Sequence, residues 1–225
     1  MGKFRGTLKS WKEYSKISDL GIIARRKFFN NCFDGALTCA GIVSGIFIIF
    51  MSKNADQFTP QTVIVTGFAT ALAIGISGLW GAFLSEEAER KKKVDDLKKD
   101  MAMIEEAEED QDGDLSKQRK KENNKKNEKN GKTLLEKAED FATIVASLVD
   151  GGAPVLGSSL PLIPFFFGGT LTLMHFIFSY IILGGLLVYL GNYLGKISGG
   201  GRVRYAIHLV TAGIVTLLVS ILLGI

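Results

Sequence analysis

Two carboxylates stand alone among apolar residues, and each is a candidate for chemistry. Asp34 lies in Asn31-Cys32-Phe33-Asp34-Gly35, and Asp150 precedes Gly151-Gly152-Ala153-Pro154. An ionisable group held away from water is costly, so by default it marks a pathway or a binding site. Carboxylates supply hard oxygen ligands, and two of them brought level would share a divalent cation or trade it for protons. Thr38, Gly41 and Gly45 follow Asp34 at steps of four, three and four, which puts an acid, a hydroxyl and two glycines on one helix face. The Gly41-x-x-x-Gly45 spacing permits close helix approach. Together these residues read as a transport pathway at a helix–helix or subunit interface. The plainer reading is a helix cap at Asp34 with glycines that only pack. Gly151 to Pro154 predicts either a discontinuous helix that frees backbone carbonyls or a simple proline kink.

Other residues invite weaker readings. His175 is a candidate proton relay, roughly 12 Å from the end of its apolar block at 1.5 Å per residue, and a packed, hydrogen-bonded histidine is the alternative. His208 reads as interfacial. Cys32 and Cys39 share a face without a metal-binding spacing and read as packing thiols. Glu86, Glu89, Glu105, Glu106, Glu108 and Glu109 form a candidate metal-collecting surface, with a solvated charged face as the alternative. Asp110, Asp112 and Asp114 open like a calcium-binding loop, but Gly113 falls at the fourth place and Lys121 at the twelfth, so the match fails. No phosphate-binding loop, HExxH, nucleophile elbow or dinucleotide turn is visible. The expectation is a protein that is not an enzyme and holds no permanent cofactor.

The elements that must position these residues are apolar blocks, at about 32–51, 62–84, 141–163, 167–195 and 205–225. A membrane helix needs about 20 mostly apolar residues, and each block reaches that length. The fold class is therefore an all-α integral membrane protein: five transmembrane helices with a cytosolic helical insert between helices two and three. Residues 1–28 form a cytosolic amphipathic segment, 29–84 helices one and two, 85–140 the charged insert, and 141–225 helices three to five.

Charge supports this topology. Residues 1–28 hold eight basic and two acidic residues, 85–140 hold 15 and 18, and 196–204 hold three basic residues. Five spans put all three segments on one side, leaving Lys53 alone among the basic residues on the other. The positive-inside rule then places the N-terminus in the cytosol and the C-terminus outside or in a lumen. Both carboxylates fall in the cytosolic half, with Asp150 the deeper. The net charge of +4 is thus a remainder of sorted clusters, and the acidic-leaning insert argues against a nucleic-acid partner.

In the insert, Val94, Leu97, Met101 and Ile104 recur at helical spacing as a narrow apolar seam suited to pairing, flanked by Glu87/Lys91 and Asp95/Lys99 at i,i+4. Residues 111–131 are too polar to repay ordering and read as a linker. Phe4, Leu8 and Trp11 share a face opposite basic residues, which reads as a helix on an anionic leaflet or else a basic tail. The first 28 residues show no signal-peptide core, and Gly6 stands where myristoylation needs Ser or Thr.

The order and spacing of Phe33-Asp34-Gly35-Ala36-Leu37-Thr38, Gly81-Ala82-Phe83-Leu84-Ser85, Leu160-Pro161-Leu162-Ile163-Pro164-Phe165 and the Gly-rich basic turn at 195–204 resemble the vacuolar iron transporter family. The resemblance covers about 25–110 and 140–225. It implies a homodimer whose first spans line a central pathway, carrying Fe²⁺ and often Mn²⁺ out of the cytosol in exchange for protons, with a glutamate-rich cytosolic region that collects metal. Asp34 matches the family's acid in span one. Lys27 stands where the family has an earlier acid, Thr66 to Trp80 contains no Asp, Glu or Met, and Gly81-Ala82-Phe83 replaces Gly-Glu-Tyr.

Two functions follow as expectations. The first is a proton-coupled Fe²⁺/Mn²⁺ transporter in a membrane lipid environment, using Asp34, Thr38 and Asp150. With oxygen ligands alone, a hard cation such as Mn²⁺ gains. The second is a non-transporting scaffold on the same fold, acting through residues 85–140.

Overall fold

The computed structural model describes residues 11, 14–16, 19–52, 58–109 and 134–223. Within these, the side chains at 90, 93–95, 97, 98, 100–109 and 134–136 lie outside the described set. Every regular element among the described residues is helical: α1 (Leu20–Met51), α2 (Pro60–Glu109), α3 (Leu134–Leu162), a 3₁₀ turn (Ile163–Phe166), α4 (Leu173–Ser198) and α5 (Arg202–Leu223). Five of these helices are long and apolar enough to cross a membrane, over Leu20–Met51, Pro60–Glu89, Lys137–Phe166, Leu173–Ser198 and Arg202–Leu223. Large apolar side chains such as Val203 (70% exposed) and Leu222 (86%) lie open. That pattern suits hydrocarbon as the surrounding medium and would be a liability in water.

Residues 22–80 with 147–225 form one compact unit, and residues 1–21 with 81–146 another. In the larger unit α1 touches three neighbours. Cys39, Val43 and Ile46 of α1 meet Val63 of α2, Leu162 at the end of α3, Phe165 of the 3₁₀ turn, and Phe176 of α4. Ala36 and Ala40 pack on Leu183 and Leu187 of α4, and Cys32 packs with Ala153 of α3 and Leu190 of α4. Cys32 and Cys39 are both buried and unbridged, so they are packing thiols as expected.

The tightest crossing is α1 on α3. A side-chain carbon on Gly35 would collide with the Pro154 backbone, and one on Gly157 would collide with the Cys32 carbonyl. The buried Ser158 hydroxyl donates to the Gly35 carbonyl at 2.9 Å. Small residues at such a crossing let two backbones touch, which is how helices gain packing energy where lipid supplies no hydrophobic drive.

The proline motif does not end the helix, so the discontinuous form of interruption is not what forms there. α3 runs unbroken through Pro154 and Pro161. Pro154 lacks the N–H that would bond the Asp150 carbonyl, so that carbonyl needs another neighbour. Gly78 of α2 supplies it: a carbon added there would lie 2.8 Å from the Asp150 carbonyl oxygen. Neighbouring helices commonly shelter freed carbonyls in this way, and the helix continues.

The fourth span also starts later than its apolar block. The chain bends through Gly168 at φ 103° and enters α4 only at Leu173, capped by Thr172. α4 ends at Gly199, whose φ of 68° suits glycine, and α5 packs back with Ala206 against Gly191.

In the smaller unit, α2 from Gly81 and α3 up to Ala146 are helical over their described residues, and Glu87 pairs with Lys91 at 2.8 Å as the i,i+4 spacing predicts. Trp11 and Tyr14 place their rings 5.7 and 6.0 Å from that of Phe141. The remainder of the expected amphipathic segment, including Phe4 and Leu8, lies outside the described residues, as does the linker at 111–131. The backbone over Val94 to Ile104 is helical, but those four seam side chains also lie outside the described set.

Candidate functional site

α1 carries a polar strip. At 3.6 residues per turn, Lys27, Asn31, Asp34 and Thr38 fall within about 60° of one another around the helix. The spacing of 27, 31, 34 and 38 is plain in the sequence, yet only its second half was legible as a site. Lys27 reads there as one of a basic cluster, and Asn31 carries no charge to draw the eye.

The first half of the strip meets Asp150. The Lys27 Nζ lies 2.6 Å from Asp150 Oδ2, and the Asn31 amide donates to Asp150 Oδ1 at 2.6 Å. The Lys27 and Asp150 side chains are only 22% and 12% exposed. Both carboxylate oxygens are therefore engaged, in a partly sheltered place where an ion pair is screened less than at an open surface.

Asp34 is the opposite case. Its residue is exposed, and no hydrogen-bond or ion-pair partner for its carboxylate exists among the described residues. Thr38 points its hydroxyl at the Asp34 backbone carbonyl, 2.9 Å away, so it braces the helix without touching the carboxylate.

The structure does not bring the two acids together around a shared site, and it reverses their expected order. Asp150 sits level with Lys27 and Asn31, about one turn nearer the start of α1 than Asp34. The starts of the apolar blocks do not mark the relative depth of the two helices. The true register is set by Gly35 on Pro154 and Gly157 on Cys32, and both helices begin well before their apolar stretches.

Gly41 does not serve as a packing glycine among the described residues: a side-chain carbon there would meet none of them within 4 Å. Gly45 is half-buried. Close approach is carried instead by Gly35 and Gly157, and by Gly75 and Gly78 of α2 against α3.

His175 lies at the third position of α4, not deep within a span. Its Nδ1 accepts from the Thr172 backbone N–H at 3.1 Å, and its Nε2 lies 2.5 Å from the Phe167 carbonyl. A carbonyl only accepts, so Nε2 carries the proton and donates it there. The ring also stacks on Phe165. Both nitrogens are engaged in capping the helix, which is the arrangement of the packed, hydrogen-bonded alternative. An apolar cavity of about 440 Å³ opens beside it, lined by Ile163, Pro164, Phe167, Met174, Phe178 and Ile182 together with the histidine. Nothing polar besides His175 points into it.

Among the described residues, no three His, Cys, Asp or Glu side chains converge to hold a metal. Glu86 is half-buried and Glu89 exposed. The side chains of Glu105, Glu106, Glu108 and Glu109, and all of Asp110, Asp112 and Asp114, lie outside the described residues. His208 is exposed near the start of α5.

Fold and site together define a multi-pass helical membrane protein with a polar strip on its central helix. The family follows from comparison with known proteins. Residues 26–225 match the VIT family, and the chain belongs to it. An uncharacterized protein of Methanocaldococcus jannaschii is 27% identical over 173 residues, which covers 77% of this chain and 74% of that protein.

Proposed function

We propose that this protein moves a divalent metal ion, Fe²⁺ or Mn²⁺, out of the cytosol in exchange for protons, with Asp34 as the pathway carboxylate. Membership of the VIT family suggests a metal transporter. The observation that carries the assignment to Asp34 is its exposed carboxylate on α1, which has no partner among the described residues. A carboxylate kept without a counter-charge in such a place is available to a cation. Oxygen is the only ligand type evident on the strip, which favours Mn²⁺ among the candidates. A second copy of the chain would cover the open face that carries Asp34, Gly41 and Gly45 and complete the pathway. The acids of the 85–140 segment, Glu86 and Glu89 among them, would collect metal in the cytosol.

The test is Mn²⁺ and Fe²⁺ flux into proteoliposomes under an imposed pH gradient. Flux that depends on the gradient and disappears in Asp34→Ala is expected, and full flux in that variant would remove Asp34 from the pathway.

A second reading has its own support in the Lys27–Asp150 pair. A carboxylate neutralised within the chain is what a non-transporting scaffold would carry. That reading expects no metal-dependent flux, and a cytosolic partner whose binding is lost when residues 85–140 are deleted.

A further inference from the structure

We propose that Lys27 is a resident cation on Asp150: a tethered ammonium that occupies the carboxylate a divalent metal would otherwise bind, and that metal must displace before it reaches Asp34. The site itself stands on geometry. The order of events along α1 rests on the transport reading above.

Three features support it. First, the Asp150 carboxylate is complete as an ion site, with a charged nitrogen at 2.6 Å on one oxygen and an amide at 2.6 Å on the other. A lysine ammonium is a compact point charge on a flexible stem, so of all side chains it most nearly imitates a bound metal ion and is the easiest to swing away. Second, the Asn31 amide can rotate and present its oxygen in place of its nitrogen. Asp150 and Asn31 would then offer hard oxygen ligands to a divalent cation that keeps water in its remaining positions. Third, Lys27, Asn31, Asp34 and Thr38 lie on one strip of α1, with Lys27 nearest the expected cytosolic end. A cation moving along the strip meets Lys27 before it meets Asp34.

Charge fixes the direction of the effect. With Lys27 in place the pair is neutral. A divalent ion that enters beside it faces repulsion from the ammonium, until the lysine leaves through the 22% of its side chain that is open. Removing the ammonium removes that competitor, while Asp150 and Asn31 remain.

The experiment uses the full chain in proteoliposomes, with Mn²⁺ as the probe. Binding is read by electron paramagnetic resonance, and flux is read in the same preparation. Lys27→Gln is expected to bind Mn²⁺ about tenfold more tightly than the unaltered protein, a difference well within what one competing charge supplies. Lys27→Arg keeps the competing charge and should show no gain, and Lys27→Gln combined with Asp150→Asn should lose the gain. Equal binding by Lys27→Gln and the unaltered protein, or a gain that survives Asp150→Asn, overturns the proposal.

A second measurement needs no variant. Saturating Mn²⁺ should raise acylation of the Lys27 amine several-fold, as quantified on its peptide by mass spectrometry. Unchanged acylation would show that the lysine never leaves, and the proposal falls. The binding gain without flux in any preparation would leave this site standing and sink the transport reading. Asp34-dependent flux without the gain would do the reverse.

Discussion

Asp34 and Asp150 are the same residue type, about one helical turn apart in depth, yet their surroundings share almost nothing. Asp150 lies where α1 and α3 touch backbone to backbone, and both its oxygens are engaged by α1 side chains. Asp34 sits on the same helix strip, but on its open stretch, with an exposed carboxylate. Neither residue decides this by itself. What decides it is the packing around each: glycines at 35 and 157 pull α3 against one stretch of α1, and none of the described residues covers the other. One helix thus carries a closed, charge-balanced crossing and an open, charge-bearing face.

The sharpest way to break the closed side is to thicken it. Leucine at Gly157 would drive a side chain into the Cys32 carbonyl, and backbone cannot yield as a flexible side chain can. The expected cost is about 3 kcal/mol or more, the upper end for overpacking. It should appear as loss of a monodisperse peak in detergent and of cooperative thermal unfolding. Full stability in Gly157→Leu would mean that the α1–α3 contact is not the one described.

Asp150→Ala tests the charge balance at the same crossing. It leaves Lys27 without its carboxylate in a place only partly open to water. Truncating one partner of a fully buried pair costs about 3–5 kcal/mol. Lys27 can reach solvent, so about 1–3 kcal/mol is the expected loss in a denaturation midpoint series. Adding Lys27→Met should restore much of it, and a double variant as unstable as the single would break the coupling.

The five spans were legible because hydrocarbon imposes a length and a composition that soluble packing does not. The order of the two acids was not legible. Register between helices is set by which glycines touch, and Gly35, Gly41, Gly45, Gly151 and Gly157 look alike in sequence. A spacing motif announces that a helix can pack closely, not which partner it meets, and so Gly41-x-x-x-Gly45 drew attention that belonged to Gly35 and Gly157. Lys27 was hidden for a related reason: among eight basic residues before position 29, nothing local marks the one that turns inward. His175 was misplaced because Gly168-Gly169 and Thr172 delay the start of α4, which turns a residue counted as deep into part of a cap.

That cap gives a smaller effect, away from both carboxylates. His175→Ala removes an acceptor for the Thr172 N–H and a donor to the Phe167 carbonyl. Loss of a helix cap costs about 0.5–2 kcal/mol. Thermal stability in detergent should fall accordingly, while the pH dependence of Mn²⁺ flux stays where it was. A shifted pH profile would return the histidine to the proton path.

The smallest expected effect lies on the open face, and it separates the two sides of α1 most cleanly. Gly41→Leu puts a large side chain where the described residues offer no neighbour within 4 Å. Leucine also favours a helix over glycine by about 1 kcal/mol. The single chain should therefore unfold within about 0.5 kcal/mol of the unaltered protein, or slightly above it, in marked contrast to Gly157→Leu. Light scattering in detergent then reads what covers this face. If a second copy packs there, Gly41→Leu shifts the protein toward a smaller species with its own fold intact. If lipid alone covers it, the mass stays the same in both, and the pathway lined by Asp34 would have to be completed within one chain.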